Sequence, residues 1–314
     1  MFAGAEEKDE AVTYCIKNKK MAIGWPCKIA NDDVDEYLEK FKSEHKWTKK
    51  NGNYPDSVNR IIYQVKENDY IWTYDKKDGH YYIAKIIDKI AHTPVYQKND
   101  FFSEEFGVYR QVENWYPCED EEVPGKVINS LIKGQTLQAV DSCLLEYSRY
   151  LYQKKHTNNS NHIFKSDENI LDTLKNLLHY DDLEDLLGLW LQIDQDYIVF
   201  PSTNKQGTKD YEYMLKKKDG SRKAVIQCKT GYSDIDASKF NGYVNNKGYN
   251  VYLITTFGCV YNMTDKIIEV NKEFIEEDKA QMYVISLDYL LKWAKENKII
   301  LPDRIKYYLD ITGY

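Results

Sequence analysis

KQGTKDYEYMLKKKDGSRKAVIQCKTG, residues 205–231, decides how the second half of the chain is read. Asp219-Gly220 is a strong short signal for a tight hairpin, because a type I′ turn needs positive φ at both central residues. The flanking runs Tyr211 to Lys217 and Lys223 to Lys229 have the alternating or continuous apolar character of strands. With a two-residue loop, Lys218 pairs with Ser221, Glu212 falls opposite Gln227, and Asp210 falls opposite Lys229. Opposed residues share a face, and so do alternate residues of one strand. Asp210, Glu212, Gln227 and Lys229 therefore project together, while Tyr211, Tyr213, Ile226 and Cys228 point the other way. A one-residue slip would scatter the set.

Two carboxylates, an amide and a lysine on one face suit metal-assisted phosphodiester hydrolysis. The oxygens of Asp210, Glu212 and Gln227 are hard donors for Mg²⁺ or Mn²⁺, and Mg²⁺ binds through only one or two protein carboxylates, with water and substrate phosphate completing its shell. Such a metal polarises the phosphoryl oxygen, and a lysine at Lys229 can orient the nucleophile or offset developing negative charge. Residues 205–249 hold ten Lys or Arg against five Asp or Glu, in a chain of net charge −7. A locally basic surface beside an acid cluster is what a polyanionic substrate needs.

On these residues the segment resembles the PD-(D/E)xK nuclease superfamily, in its Mrr-like branch, where glutamine replaces the second acid. The motif reads Gln227-Cys228-Lys229, preceded by Val225-Ile226 and followed by Thr230-Gly231; the PD dipeptide itself is absent. The resemblance implies a first acid on the preceding strand. Register favours Glu212 there, and the family's usual Asp favours Asp210. It also implies an upstream helical Glu, best matched by Glu184 in YDDLEDLLGLWLQ. A helix over Leu171 to Gln192, the hairpin, a later strand at Val251 to Thr256, and helices at Leu287 to Lys298 and Asp303 to Leu309 follow the order expected of a restriction-endonuclease-like mixed sheet flanked by helices.

Residues 13–118 read as a compact β-rich unit. A strand runs into Ile23-Gly24-Trp25-Pro26, and Asp33 to His45 forms an amphipathic helix with Val34, Tyr37, Leu38 and Phe41 on one face. Arg60 to Lys66, Tyr70 to Tyr74, Tyr81 to Ile87 and Val108 to Trp115 read as strands, and Asp78-Gly79 turns the middle two into a hairpin. This pattern, with Asn68-Asp69-Tyr70-Ile71-Trp72 and the closing Trp115, resembles the PUA-like superfamily and its EVE-type members. The resemblance implies a small β-barrel with an inserted helix, and an aromatic pocket for a modified or flipped base. Trp25, Trp72, Tyr74 and Trp115 are the candidates, since base readers need aromatic faces for stacking.

The 314 residues, 42% hydrophobic and 30% charged, suit two folded units. The expected division is a PUA/EVE-like domain over 1–125, a helical connector and linker over 126–166, and a nuclease-like domain over 167–314. The connector holds helices at Val127 to Lys133 and Thr136 to Tyr152, then a linker from Lys154 to Ser166. Glu119-Asp120-Glu121-Glu122 reads as a solvated loop. The six cysteines are scattered, with no C-x-x-C pair, and read as reduced; His156 and His162 lie in a polar loop. No apolar run is long enough to cross a bilayer, and the expected location is the cytoplasm. Together the two resemblances imply a modification-dependent DNA endonuclease of the restriction, anti-phage kind, using Mg²⁺ and acting as a homodimer. A degenerate fold that binds nucleic acid without cutting it, and an RNA-directed nuclease, are the alternatives the residues leave open.

Overall fold

A computed structural model describes residues 5–44, 55–132, 137–140, 142–158, 164, 169–200, 211–262, 267–271 and 278–314. The chain divides into two compact units, Met1–His162 and Ile163–Tyr314, and both mix helices with sheet.

The first unit runs α1 (Ala5–Lys17), β1 (Lys20–Ile23), α2 (Val34–Glu44), α3 (Asp56–Asn59) with a π-helical turn at Arg60–Gln64, β2 (Tyr70–Asp75), β3 (His80–Ile86), α4 (Phe101–Glu105), β4 (Val108–Cys118), α5 (Gly125–Ile132) and α6 (Leu145–Thr157). Its strands form one antiparallel sheet in the order β1-β4-β3-β2, curled as a half-barrel. Helix α2 lays Tyr37, Leu38 and Phe41 on a core of Ile23, Val58, Ile61, Ala84, Ile86 and Val108.

Several expectations change here. Arg60 to Lys66 is not a strand. Val58, Ile61 and Val65 all pack on the core, a helical spacing that outweighs the β-propensity of Ile61-Ile62. The fully buried Arg110 guanidinium donates to the carbonyls of Ile61, near the start of that turn, and of Val65, just past its end. The first strand, Lys20–Ile23, ends at Ile23 as expected, after α1 has run to Lys17. The expected connector is part of this unit: Tyr152 of α6 packs on Tyr70 at 5.6 Å, and Ser148 accepts a hydrogen bond from the Trp72 indole at 3.0 Å. Residues 137–140 are not helical, and Lys154 to Thr157 form the last turn of α6 rather than a linker. His156 sits in that turn, hydrogen-bonded to the Tyr116 hydroxyl at 2.8 Å; His162 lies outside the described residues. Glu122 is buried rather than solvated, and pairs with Lys154 and Lys155 at 3.5 and 2.5 Å.

The second unit runs α7 (Ile170–Leu177), α8 (Tyr180–Ile193), β5 (Tyr197–Val199), β6 (Met214–Lys217), β7 (Lys223–Lys229), β8 (Ile235–Asp236), α9 (Asn241–Asn245), β9 (Asn250–Thr255), β10 (Val260–Tyr261), β11 (Ile267–Val270), β12 (Met282–Ile285), α10 (Leu287–Glu296) and α11 (Asp303–Thr312). The main sheet has the order β11-β12-β9-β7-β6-β5. Strands β5, β6 and β7 pair antiparallel, and β7, β9, β12 and β11 pair parallel. Ala224 to Cys228 are all buried, as befits a strand covered on both faces. Strands β8 and β10 form a separate parallel pair.

The single helix expected over Leu171 to Gln192 is two. Leu178 is extended, and His179 caps α8 in a reciprocal box with Asp182, the His179 N–H donating to Asp182 Oδ2 at 2.7 Å. Along α8, Leu183, Leu186, Leu187, Trp190 and Leu191 are buried at helical spacing. Trp190 meets Tyr252 edge-on at 6.1 Å, and Tyr252 pairs with Ile226, so α8 covers the sheet face of Ile226 and Cys228.

Candidate active site

The hairpin keeps the expected register by a different turn. Met214↔Val225, Leu215↔Ala224 and Lys216↔Lys223 are paired as the sequence predicts. The loop, however, spans four residues between Lys217 and Arg222, whose N–H and carbonyl are 2.8 Å apart. Gly220 alone has positive φ, at 78°, and its N–H donates to Lys217 O at 2.9 Å. The extra residues are shared equally by both sides, so the register survives the change from type I′.

Beyond Met214 the ladder is irregular. Glu212 N–H donates to Ile226 O at 2.9 Å, and Ile226 N–H donates to Tyr213 O at 3.3 Å. Two residues thus oppose one, the pattern of a β-bulge, a device that re-aims side chains beside active sites. Tyr213 turns to α8, where its hydroxyl donates to Glu184 O at 2.8 Å. Tyr211 packs against the cluster of Val225, Leu253 and Phe240 on the opposite face, whereas unbroken alternation would put it with Tyr213. Glu212 still reaches Gln227, whose side-chain amide donates to its carboxylate and to Cys228 O at 3.1 Å. Asp210, expected opposite Lys229, lies outside the described residues.

Glu184 comes to this group from the first turns of α8. Burial, then the Glu212 carboxylate, then Asp181 and Asp185 push its carboxyl up to about 8, while Lys229 pulls it down. Gln227 thus binds Glu212, and Glu212 and Lys229 bear on Glu184, at the carboxyl end of β7. In open sheets with parallel strands, that end is where ligands bind.

A pH dependence follows. In the unfolded chain Glu184 ionises near its ordinary 4.5, and in the folded protein near 8. Between those values the folded state holds the extra proton, so stability falls as pH rises from about 4.5 to about 8 and levels off above. Glu184→Gln removes that contribution. In metal-free buffer its melting temperature should gain on that of the wild type as pH is raised from 5 to 8; a constant difference across that range would remove the coupling.

The donor set suits a hard divalent cation. Burial first, and the Glu212 carboxylate second, raise the Glu184 carboxyl, and the Gln227 amide beside Glu212 offers a further oxygen. Among the described residues no three His, Cys, Asp or Glu side chains are grouped for a metal; Glu212, Glu184 and Gln227 are donors of the number and type Mg²⁺ accepts alongside water and phosphate.

Sequence reading misses Tyr213 and Gly188. A Cβ on Gly188 would lie 2.1 Å from the Tyr213 hydroxyl. An isolated glycine inside DLLGLWLQ was the available signal, since a helical Gly usually marks close packing. Gly188→Ala should cost about 2–4 kcal/mol, by overpacking and by breaking the Tyr213 bond to Glu184. Tyr213→Phe in the same chain should return part of that cost in a urea-denaturation cycle.

In the first unit the four predicted aromatics do not converge. Ile71 pairs with Ala84 and Ala84 with Trp115, which puts Trp115 on the core face. Trp25 packs there too, 6.0 Å from Phe41, with a left-handed φ of 73° and its carbonyl bonded by the Tyr37 hydroxyl at 3.0 Å. Trp72 and Tyr74 alternate onto the other face, where Tyr74 packs on Tyr81 at 4.7 Å. Trp72 alone lines a cavity of about 320 Å³, with Arg60, Gln64, Val127, Leu131 and Ser148. Its size is that of a small-ligand site.

No helix among the described residues is long and apolar enough to cross a membrane. Comparison of the chain with models of protein families, with curated proteins and with solved structures finds no match.

Proposed function

We propose that the chain is a modification-dependent DNA endonuclease whose second unit cuts the backbone and whose first unit holds a modified base. The observation that carries this reading is the hydrogen bond from the Gln227 amide to Glu212 at the end of β7, beside which Glu212 and Lys229 both act on the buried Glu184 carboxyl. Mg²⁺ or Mn²⁺ held by Glu212 and Gln227, with Asp210 and Glu184 as further donors, would supply Lewis-acid polarisation of the scissile phosphate. Lys229 sets its ammonium where negative charge grows on the phosphoryl group as the water oxygen bonds to phosphorus and the bond to the leaving sugar oxygen breaks. Glu184, with its carboxyl near neutrality, can exchange a proton with water or the leaving oxygen at working pH. The Tyr213 bond and the Gly188 contact hold the helix carrying Glu184 against the hairpin carrying Glu212.

The Trp72 cavity supports the reader's role for the first unit, because it joins an indole to Arg60, Gln64 and Ser148 in one concave site. Two-strand cutting by single-site subunits calls for a homodimer or a DNA-induced pair. One experiment tests the whole reading: cleavage of base-modified DNA, unmodified DNA and structured RNA by the wild type and Trp72→Ala, across one Mg²⁺ and Mn²⁺ titration. Wild type should cut modified DNA fastest, and Trp72→Ala should lose that preference while still cutting. Equal cleavage of all three substrates would remove the reader, faster RNA cleavage would make this an RNA-directed enzyme, and binding without cleavage would leave a non-catalytic nucleic-acid-binding protein.

A further inference from the structure

The pairing of β7 with β9 continues past the catalytic lysine. After Lys229↔Thr255, Thr256 N–H donates to Lys229 O and Phe257 N–H to Gly231 O, each at 3.1 Å. The two chains thereby bring Tyr232 and Phe257 side by side, their rings stacked at 5.2 Å between centroids and 25° between planes. Tyr232 is 78% exposed, although it lies on a segment fixed from both sides. Thr256 Oγ1 donates to Gly231 O at 3.2 Å, Cys259 N–H to Asp234 Oδ1 at 2.8 Å, and Thr255 Oγ1 to Gly258 O at 2.7 Å. The Lys175 ammonium, paired with Asp172 at 3.3 Å, stands 5.6 Å from the Phe257 ring centre. Tyr232 lies three positions after Lys229, so their α-carbons are at most about 11 Å apart, within reach of neighbouring nucleotides on one strand.

We infer that the Tyr232–Phe257 pair is a stacking platform for an unpaired base next to the scissile phosphate. The preferred substrate then presents a single-stranded or locally opened segment at the cut, rather than an uninterrupted duplex. This rests on the nuclease reading for its substrate. An aromatic face tied down by these bonds and open to solvent, in a segment with ten Lys or Arg against five Asp or Glu over residues 205–249 and with a phosphodiester site beside it, matches the pairing of stacking surface and positive charge by which proteins hold single strands. A duplex buries its base faces in its own stack and has nothing to offer this surface.

The test uses full-length protein carrying Lys229→Ala, so that bound strands stay intact, and a 12-nucleotide DNA containing one 2-aminopurine, single-stranded or fully paired. Adding Tyr232→Ala should weaken single-strand binding by about 10-fold, or about 1.4 kcal/mol, and abolish the fluorescence quenching that stacking causes. Tyr232→Phe should retain both, and duplex binding should change less than 2-fold, with unchanged melting curves in every variant. Undiminished single-strand binding by Tyr232→Ala, or an equal loss for duplex, would overturn the platform. Cleavage by the wild type, measured in parallel, separates the two ideas. Tyr232-dependent binding without any cleavage sustains the platform and defeats the nuclease, whereas cleavage with Tyr232-independent binding does the reverse.

Discussion

Lys229→Ala is expected to slow phosphodiester cleavage by about 10²–10³-fold, the usual effect of removing one preorganised charge-stabilising group. Lys229 ends β7, five of whose seven residues are buried, and is itself only partly buried, so a well-packed strand fixes its backbone. Losing it also removes the positive charge that pulls the Glu184 carboxyl down, so that carboxyl should ionise at still higher pH. Because the lysine acts on charge that develops during the reaction, kcat and kcat/KM should fall together, with KM nearly unchanged. Single-turnover cleavage of modified DNA measures this. A rise in KM at constant kcat would make Lys229 a substrate-binding group instead.

Arg110→Met is expected to destabilise the first unit by about 3–5 kcal/mol, the cost of breaking a buried ion pair from one side. Arg110 is wholly buried; its Nε donates to Asp88 Oδ1 and its Nη2 to Asp88 O, both at 2.6 Å, and its Nη1 serves the carbonyls of Ile61 and Val65. Methionine fills similar space but leaves the Asp88 carboxylate without its guanidinium and the carbonyls of Ile61, Val65 and Asp88 without this donor. Lysine should not rescue it, because a single ammonium cannot reproduce the planar fork that reaches both partners. The π-helical turn at Arg60–Gln64 brings Arg60 and Gln64 to the Trp72 cavity, so the loss should also open that wall. Amide hydrogen exchange at residues 61–65 should quicken in Arg110→Met; protection there equal to wild type would detach the arginine from the turn.

What the sequence revealed of the site follows from strand periodicity. A period of two and the Asp-Gly signal were enough to pair Met214 with Val225 and to bring Glu212 to Gln227. The bulge at Glu212-Tyr213 was not legible, since no local residue pattern distinguishes an extra residue in a ladder from straight continuation; it appears only where Tyr213 meets α8. The break at Leu178-His179 was hidden because α7 and α8 both carry dense leucines, and histidine is an uncommon cap. The π-helical turn was read as a strand because Ile61-Ile62 favours one by propensity, while Val58, Ile61 and Val65 were claimed by the core. The aromatic pocket failed for a related reason: aromatics on neighbouring strands converge only if their register places them on one face, and register between strands distant in sequence is set by tertiary pairing. The Trp72 cavity depends on α5 and α6, whose sequence carries only the signal of a connector.

The central claim is that Glu184, Glu212, Gln227 and Lys229 form one divalent-cation-dependent phosphodiesterase site. Cleavage of modified DNA by the wild type and by Glu212→Gln over a Mg²⁺ and Mn²⁺ titration tests it most directly. Wild-type cleavage should saturate with metal and vanish in excess chelator, and Glu212→Gln should fall by at least about 100-fold while melting as the wild type does in metal-free buffer. Wild-type protein that never cuts, or a Glu212→Gln protein that cuts as fast, would contradict it.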